Sequence, residues 1–244
     1  MKKTLYIILY TLVLTMLVGY MTWAIWLVPN NMDETECKKV MIEIEDSISR
    51  YFISSRDVVV LLRDSGLYPS GYNYSQINTH AIEKAVCANQ VVKDAQCYKL
   101  TDGTVCIRVQ QREPKLRVIG EKNYYIDSER KPMQATFHTA SYVPVVTGRV
   151  TERMAREELF DFVEWLEDND FWNAQIEQIV VTSRKEIELV PRVGGHIILL
   201  GTLDNYEQKL SKLRQFYTEG FAKMGWKNYK EIDIRYANQV IGRR

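Results

Sequence analysis

With 244 residues, 46% hydrophobic content and a net charge of +1, the chain can bury one or two cores, and its composition excludes an intrinsically disordered protein. A charge so close to zero sets up no large one-signed field, which argues against electrostatic capture of nucleic acid or acidic substrates. The four cysteines, Cys37, Cys87, Cys97 and Cys106, form no CxxC and no histidine stands at ligand spacing, so the pattern is not that of a zinc site.

The first predicted element is a helix. No charged residue occurs from Thr4 to Met32, and Leu5 to Val28 is almost wholly apolar. About 20 helical residues span a hydrocarbon core of roughly 30 Å. Tyr6 and Tyr10 stand near one end of the run and Tyr20, Trp23 and Trp26 near the other, like the aromatic belts at two membrane interfaces. Lys2 and Lys3 precede it, and Asp33, Glu34 and Glu36 follow. The positive-inside rule leaves the tail 1–4 in the cytoplasm and exports the remainder. A cleaved signal peptide would carry an apolar region of about 7–15 residues ending in a small-x-small site. This run is longer and Met21-Thr22-Trp23-Ala24 is a poor site, so the expectation is a retained anchor over 5–28 and a linker over 29–36. In an oxidising compartment the cysteines are free to pair; as small buried hydrophobes they fit equally well.

Val40, Ile42 and Ile44 alternate with Met41, Glu43 and Glu45, which predicts a half-buried strand. Ser54 to Asp57 has the capping-box pattern and opens a helix whose apolar face is Val58, Val59, Leu61 and Leu62, with Gly66 just past its end. A polar, Tyr-rich loop runs through Tyr74, followed by a helix near Thr79 to Ala88 and a strand from Val91 to Leu100. Asp102-Gly103 is a hairpin signal, and Val105, Ile107 and Val109 alternate in the return strand. The order is β-α-α-β-β, closed by Arg112-Glu113-Pro114.

The second half begins with strands near Leu116–Ile119 and Tyr124–Asp127. A helix is expected from Thr151 to Asp168, burying Leu159, Phe162, Val163 and Leu166. Strands follow at Ile176–Thr182, Ile187–Pro191 and Ile197–Leu200. Asp204, with Glu207 three residues on, is expected to cap a further helix ending at Gly225. Ile232, Ile234 and Tyr236 alternate with Asp233 and Arg235, and Val240–Ile241 gives a short final strand. The fold class is therefore α+β: an N-terminal transmembrane helix, a small β-α-α-β-β domain over 37–114, and a larger antiparallel β-rich domain with two helices over 115–244.

No HExxH, GxSxG, GxGxxG or Walker pattern occurs. His80, His138 and His196 stand apart from one another in sequence, and the acidic pairs of the helix over 151–168 read as a solvated face. Glu186 and Glu188 share a strand face, but no third group supports them as a catalytic pair. The residues give no nucleophile, base and stabiliser in combination.

The segments Ile82-Glu83-Lys84-Ala85, Val91 to Ala95 and Val105 to Pro114, ending as V-x-x-R-x-P, resemble the POTRA domain of the FtsQ/DivIB family. Tyr124-Tyr125-Ile126-Asp127, Val143-Pro144-Val145-Val146-Thr147-Gly148 and Ile232-Asp233-Ile234-Arg235-Tyr236 resemble, in order, three motifs of that family's second domain. Departures are the Tyr-rich loop around Gly71–Asn73, and Asn238 and Gln239 where the family has small residues.

The resemblance implies a non-catalytic divisome scaffold, single-pass in the inner membrane at the division septum, with a cytoplasmic N-terminus and a periplasmic bulk. It implies FtsB and FtsL as partners, with contacts extending to FtsW and FtsI, a part in regulating septal peptidoglycan synthesis, and no cofactor, metal, nucleic acid or small-molecule substrate. The partner-binding residues it implies for FtsB are Ile234, Arg235, Tyr236, Asn238, Gln239 and Val240. Residues 232–242 are expected to supply a sheet edge, with Arg235 facing outward to an acidic partner residue. Tyr236 falls with Ile232 and Ile234, on the side of the core or of the partner. The alternatives are a POTRA-type periplasmic protein of envelope assembly and a membrane-anchored cell-wall enzyme.

Overall fold

The computed structural model describes residues 2–27, 34–45, 52–134, 141–220, 229–236 and 239–244. Helix α1 (Lys2–Leu27) contains one stretch, Tyr6–Ala24, long and apolar enough to cross a membrane, and none of that stretch is buried against the rest of the protein. Val28 and most of the expected linker lie outside the described residues.

The first globular unit is a sheet of three strands, β1 (Lys39–Ile44), β2 (Val92–Lys99) and β3 (Thr104–Gln111), in the order β1-β3-β2. Strand β1 runs parallel to β3, and β2 antiparallel to it. Helices α2 (Ser55–Asp64) and α3 (Thr79–Cys87) bury Val58, Leu62, Ile82 and Val86 against one face. The predicted capping box forms: the Asp57 carboxylate accepts the Ser54 N–H at 2.8 Å, and the Ser54 hydroxyl bonding it holds the Asp57 acid below the usual carboxylate range. The Tyr-rich loop is tied down at its end, because Tyr74 is buried and its hydroxyl lies 2.6 Å from the Leu100 carbonyl. All four cysteines are free thiols; Cys37, Cys97 and Cys106 are buried, and burial pushes the Cys97 thiol up to about 12.

The second unit is a nine-stranded sheet. Its strands are β4 (Pro114–Ile119), β5 (Tyr124–Asp127), β6 (Pro132–Gln134), β7 (Val145–Gly148), β8 (Ile176–Val181), β9 (Ile187–Pro191), β10 (Ile197–Gly201), β11 (Glu231–Asp233) and β12 (Ile241–Arg243). They are ordered β12-β11-β10-β9-β8-β7-β4-β5-β6. The α+β class holds, but the sheet is mixed rather than antiparallel: β4 with β7, β7 with β8, and β10 with β11 are parallel. The helices explain this, since parallel neighbours need a crossover connection and helices supply two of the three. Between β7 and β8 lie α4 (Glu152–Arg156), α5 (Glu158–Glu167) and α6 (Asp170–Gln175); between β10 and β11 lies α7 (Tyr206–Gln215), continued by a π-turn over Phe216–Gly220.

Among the described residues the two expected helices are therefore four. Glu157 leaves the helical region (φ −109, ψ −92) and divides the first, and α6 is added where the Asn169 side chain accepts the Trp172 N–H at 3.3 Å. The start of α7 also differs. Its N-cap is Asn205 at φ 52, and Asp204 instead accepts the Thr202 hydroxyl at 2.9 Å. Gly225 lies outside the described residues.

The helices cover one face of this sheet, where Leu116, Val146, Ile179, Leu189, Ile198 and Ile232 meet Leu159, Phe162, Val163, Leu210 and Leu213. A buried polar pair sits in this core: His196 Nε2 and Tyr217 Oη are 2.6 Å apart. Burial lowers the His196 pKa and raises that of Tyr217. In the unfolded chain His196 takes a proton near pH 6.5, whereas in the folded chain it does so only at lower pH. Stability is therefore lost as pH falls from about 6.5 toward the native value, by at most about 1.4 kcal/mol per pH unit. Urea unfolding of the 33–244 portion between pH 7.5 and 5.5 should show this slope in the parent and lose it in His196→Gln, whatever the variant's absolute stability. A slope retained by the variant would assign it to other groups.

Candidate functional site

The end of the nine-stranded sheet is built by β10, β11 and β12 in succession. Strand β11 pairs parallel with β10, Ile198 opposite Ile232, and antiparallel with β12, Asp233 opposite Ile241 and Glu231 opposite Arg243. The expected edge over 232–242 is thus narrower: β11 is flanked on both sides, and β12 is the outermost strand. Among the described residues β12 has no strand on its outer side, so part of its backbone N–H and C=O array is open to pairing.

The register sorts the side chains. Ile232 points into the helix-covered core, so Asp233 and Ile241 point to the other face. Asp233 is nevertheless fully buried, because two arginines close over it. Arg235 donates through Nε to Oδ1 at 3.0 Å and through Nη2 to Oδ2 at 2.7 Å, while Arg243 Nη2 is 3.5 Å from Oδ2. The Arg235 hydrogen bonds, above all, hold the Asp233 carboxyl below the usual carboxylate range, and Asp233 in turn raises the Arg235 guanidinium. Glu186 stands 3.8 Å from Arg235 and Glu231 3.3 Å from Arg243, so the carboxylate considered above as half of a catalytic pair is an ion-pair partner.

The predicted contact residues separate accordingly. Ile234 is core, its N–H donating to the Leu199 carbonyl at 3.0 Å. Arg235, expected to face outward, is folded back onto Asp233. Tyr236, which alternation put beside Ile232 and Ile234, is 58% exposed, with the Arg235 guanidinium 6.0 Å from its ring centre. The reason for both is that the strand stops at Asp233: its Oδ1 accepts the Arg235 N–H at 3.1 Å, a local turn that ends strand alternation. The Gln239 N–H donates to the Tyr236 carbonyl at 3.3 Å, and Val240 packs partly buried against the core. Asn238 lies outside the described residues.

Three further positions build the edge. Ile241 is 37% exposed on the open face, and Arg243 extends beside it. Gly242 lets the ring of Tyr229 lie against the backbone, since a Cβ there would meet that ring at 2.4 Å. The signal for them in the sequence was the short apolar run Val240–Ile241 followed by a glycine. Among the described residues no group of His, Cys, Asp and Glu side chains is arranged to hold a metal ion.

A family profile described as FtsQ/DivIB, C-terminal related, matches residues 113–243, more than half of the 244-residue chain. A second, described as a POTRA-like domain, matches residues 35–110. Comparison with curated proteins gave no match.

Proposed function

Because the chain belongs to the FtsQ/DivIB family, we propose that it is a non-catalytic divisome scaffold that captures the C-terminal segment of FtsB, together with FtsL, on the outer edge of β12. On this reading residues 37–114 are the POTRA domain and 115–244 the partner-binding domain. The anchor is single-pass with its N-terminus in the cytoplasm, and the bulk lies in the periplasm at the septum, where capture helps regulate septal peptidoglycan synthesis. FtsW and FtsI are reached through that assembly.

The observation that supports the reading is the open strand β12, with Ile241 exposed on it and Tyr236 exposed in the segment that follows β11. A partner strand added there would gain backbone hydrogen bonds for affinity and side-chain contacts for selectivity. The anchor keeps membrane-bound partners at high effective concentration, so a modest intrinsic affinity is enough.

The test is capture of the FtsB periplasmic segment by the full chain in detergent micelles. Tyr236→Ala and Ile241→Lys change exposed side chains and leave the core intact, and each should weaken capture roughly tenfold, the loss of one good anchor contact. Removal of residues 241–244 should abolish it. Ile234→Lys is uninformative here, because it buries a charge in the core. Unchanged capture by all three variants would remove the edge from the proposal.

A further inference from the structure

The motif that closes the small domain and the one that opens the second domain meet in space. Arg112 and Glu113 are all that separates β3 from β4. Arg112 Nη1 lies 2.8 Å from Asp127 Oδ2, at the end of β5. The Asp127 side chain is 2% exposed, and its other oxygen accepts the N–H groups of Glu129 at 2.9 Å and Lys131 at 2.7 Å. Arg112 Nε donates to the Val92 carbonyl at 3.2 Å, so one guanidinium holds the start of β2 and the end of β5 together. The Ser128 N–H donates to the Glu113 carbonyl at 2.8 Å, and Lys93 pairs with Glu129 at 3.1 Å.

Beneath this polar layer the two cores are continuous. Tyr125 stands opposite Arg117 and Met133, on the face of the nine-stranded sheet turned away from its helices. Both Tyr125 and Met133 are buried, and they belong to the apolar cluster of the small domain together with Phe52, Ile53 and Val109. Tyr125 meets Phe52 edge to face, with ring centres 5.5 Å apart. The N–H groups of Phe52 and Ile53 both reach Gln111 Oε1, at 3.0 and 3.3 Å, which fixes Phe52 over the junction.

Domains joined in one chain ordinarily share polar, mobile interfaces. Here a buried carboxylate with three partners seals an apolar contact, and a two-residue connection followed at once by Pro114 leaves little freedom to hinge. We infer that the second sheet completes the core of the small domain, so that the two form one rigid, cooperatively unfolding body. A protein held on the small domain then stands at fixed distance and orientation from strand β12, and Arg112, Asp127 and Tyr125 are positioning residues for that geometry.

The experiment is pulsed hydrogen exchange read by mass spectrometry on the full chain in detergent micelles across a urea series. It follows peptides of α3–β2 for the small domain and of β8–β9 for the second. Coincident midpoints are expected in the parent. Tyr125→Ala should lower the α3–β2 midpoint by on the order of 1 M urea, and Asp127→Asn, which keeps the side-chain shape, should shift it in the same direction. Separate midpoints in the parent would overturn the inference. So would an α3–β2 midpoint that neither variant moves.

Discussion

Replacing Gly148 by alanine should destabilise the folded body by roughly 4 kcal/mol and lower its melting temperature by on the order of 10 °C. Gly148 ends β7 at φ +93, a conformation costly to any residue with a Cβ, at about 1–3 kcal/mol. A Cβ built there would lie 2.1 Å from the backbone carbonyl oxygen of Val181, its neighbour on parallel strand β8. No side chain can rotate to relieve this, because the obstacle is main chain in the middle of a sheet. The strands must part, which forfeits packing worth about 1–3 kcal/mol and strains the Arg149 N–H to Val181 carbonyl bond of 2.9 Å. Gly195→Ala is the control, since nothing lies within 4 Å of a Cβ at that position. Thermal melts of the two variants beside the parent decide it: Gly148→Ala melting within two or three degrees of the parent would show that the β7–β8 contact yields at no cost.

Gly148 ends one of the segments by which the sequence resembled its family, and its role there is steric. The others are structural through ion pairs instead: Arg112 and Asp127 clasp the domains, and Asp233 and Arg235 pair with each other. These motifs were legible because each encodes a local constraint that few residue types satisfy. Local signals served equally well elsewhere, as at the Ser54–Asp57 cap and the Asp102–Gly103 turn, where the Asp102 carboxylate accepts the Thr104 N–H at 2.9 Å.

What the sequence hid depends on distant partners. Strands β6 and β7 are too short to show alternation, and exist because β5, β4 and β8 offer ladders to them. Parallel pairing was implicit in helices lying between strands, but periodicity alone does not say which strands become neighbours. The break at Glu157 follows no glycine or proline and carried no signal. The contact site was half legible. The C-terminal location was readable, but period-2 reasoning ran three residues past the end of β11 and so put Tyr236 on the core side, while Asp233, on the face that alternation gave it, is buried by the two arginines that close over it.

The burial of Asp233 makes it a residue of the fold, whereas exposed Tyr236 is free to make a contact. Asp233→Ala should cost roughly 2–3 kcal/mol at neutral pH, measured by urea unfolding of residues 33–244. Breaking a buried pair by removing one partner costs about 3–5 kcal/mol. Arg235 and Arg243, whose side chains are 30% and 54% exposed, recover part of this by turning toward water. The pH dependence follows from the depressed native pKa of Asp233. Its stabilisation is complete above the unfolded value of about 3.9 and disappears as pH falls through the native value, so parent and variant should converge in acid. The contrast with Tyr236→Ala separates fold from contact. Asp233→Ala should lose partner capture only as far as it loses folded protein, whereas Tyr236→Ala should keep the parent's unfolding curve and lose capture. A stable Asp233→Ala would mean that the two arginines find other acceptors, with Glu186 and Glu231 already within 3.8 and 3.3 Å of them. Arg235 would then be free to turn toward a partner, the role that strand alternation first assigned to it.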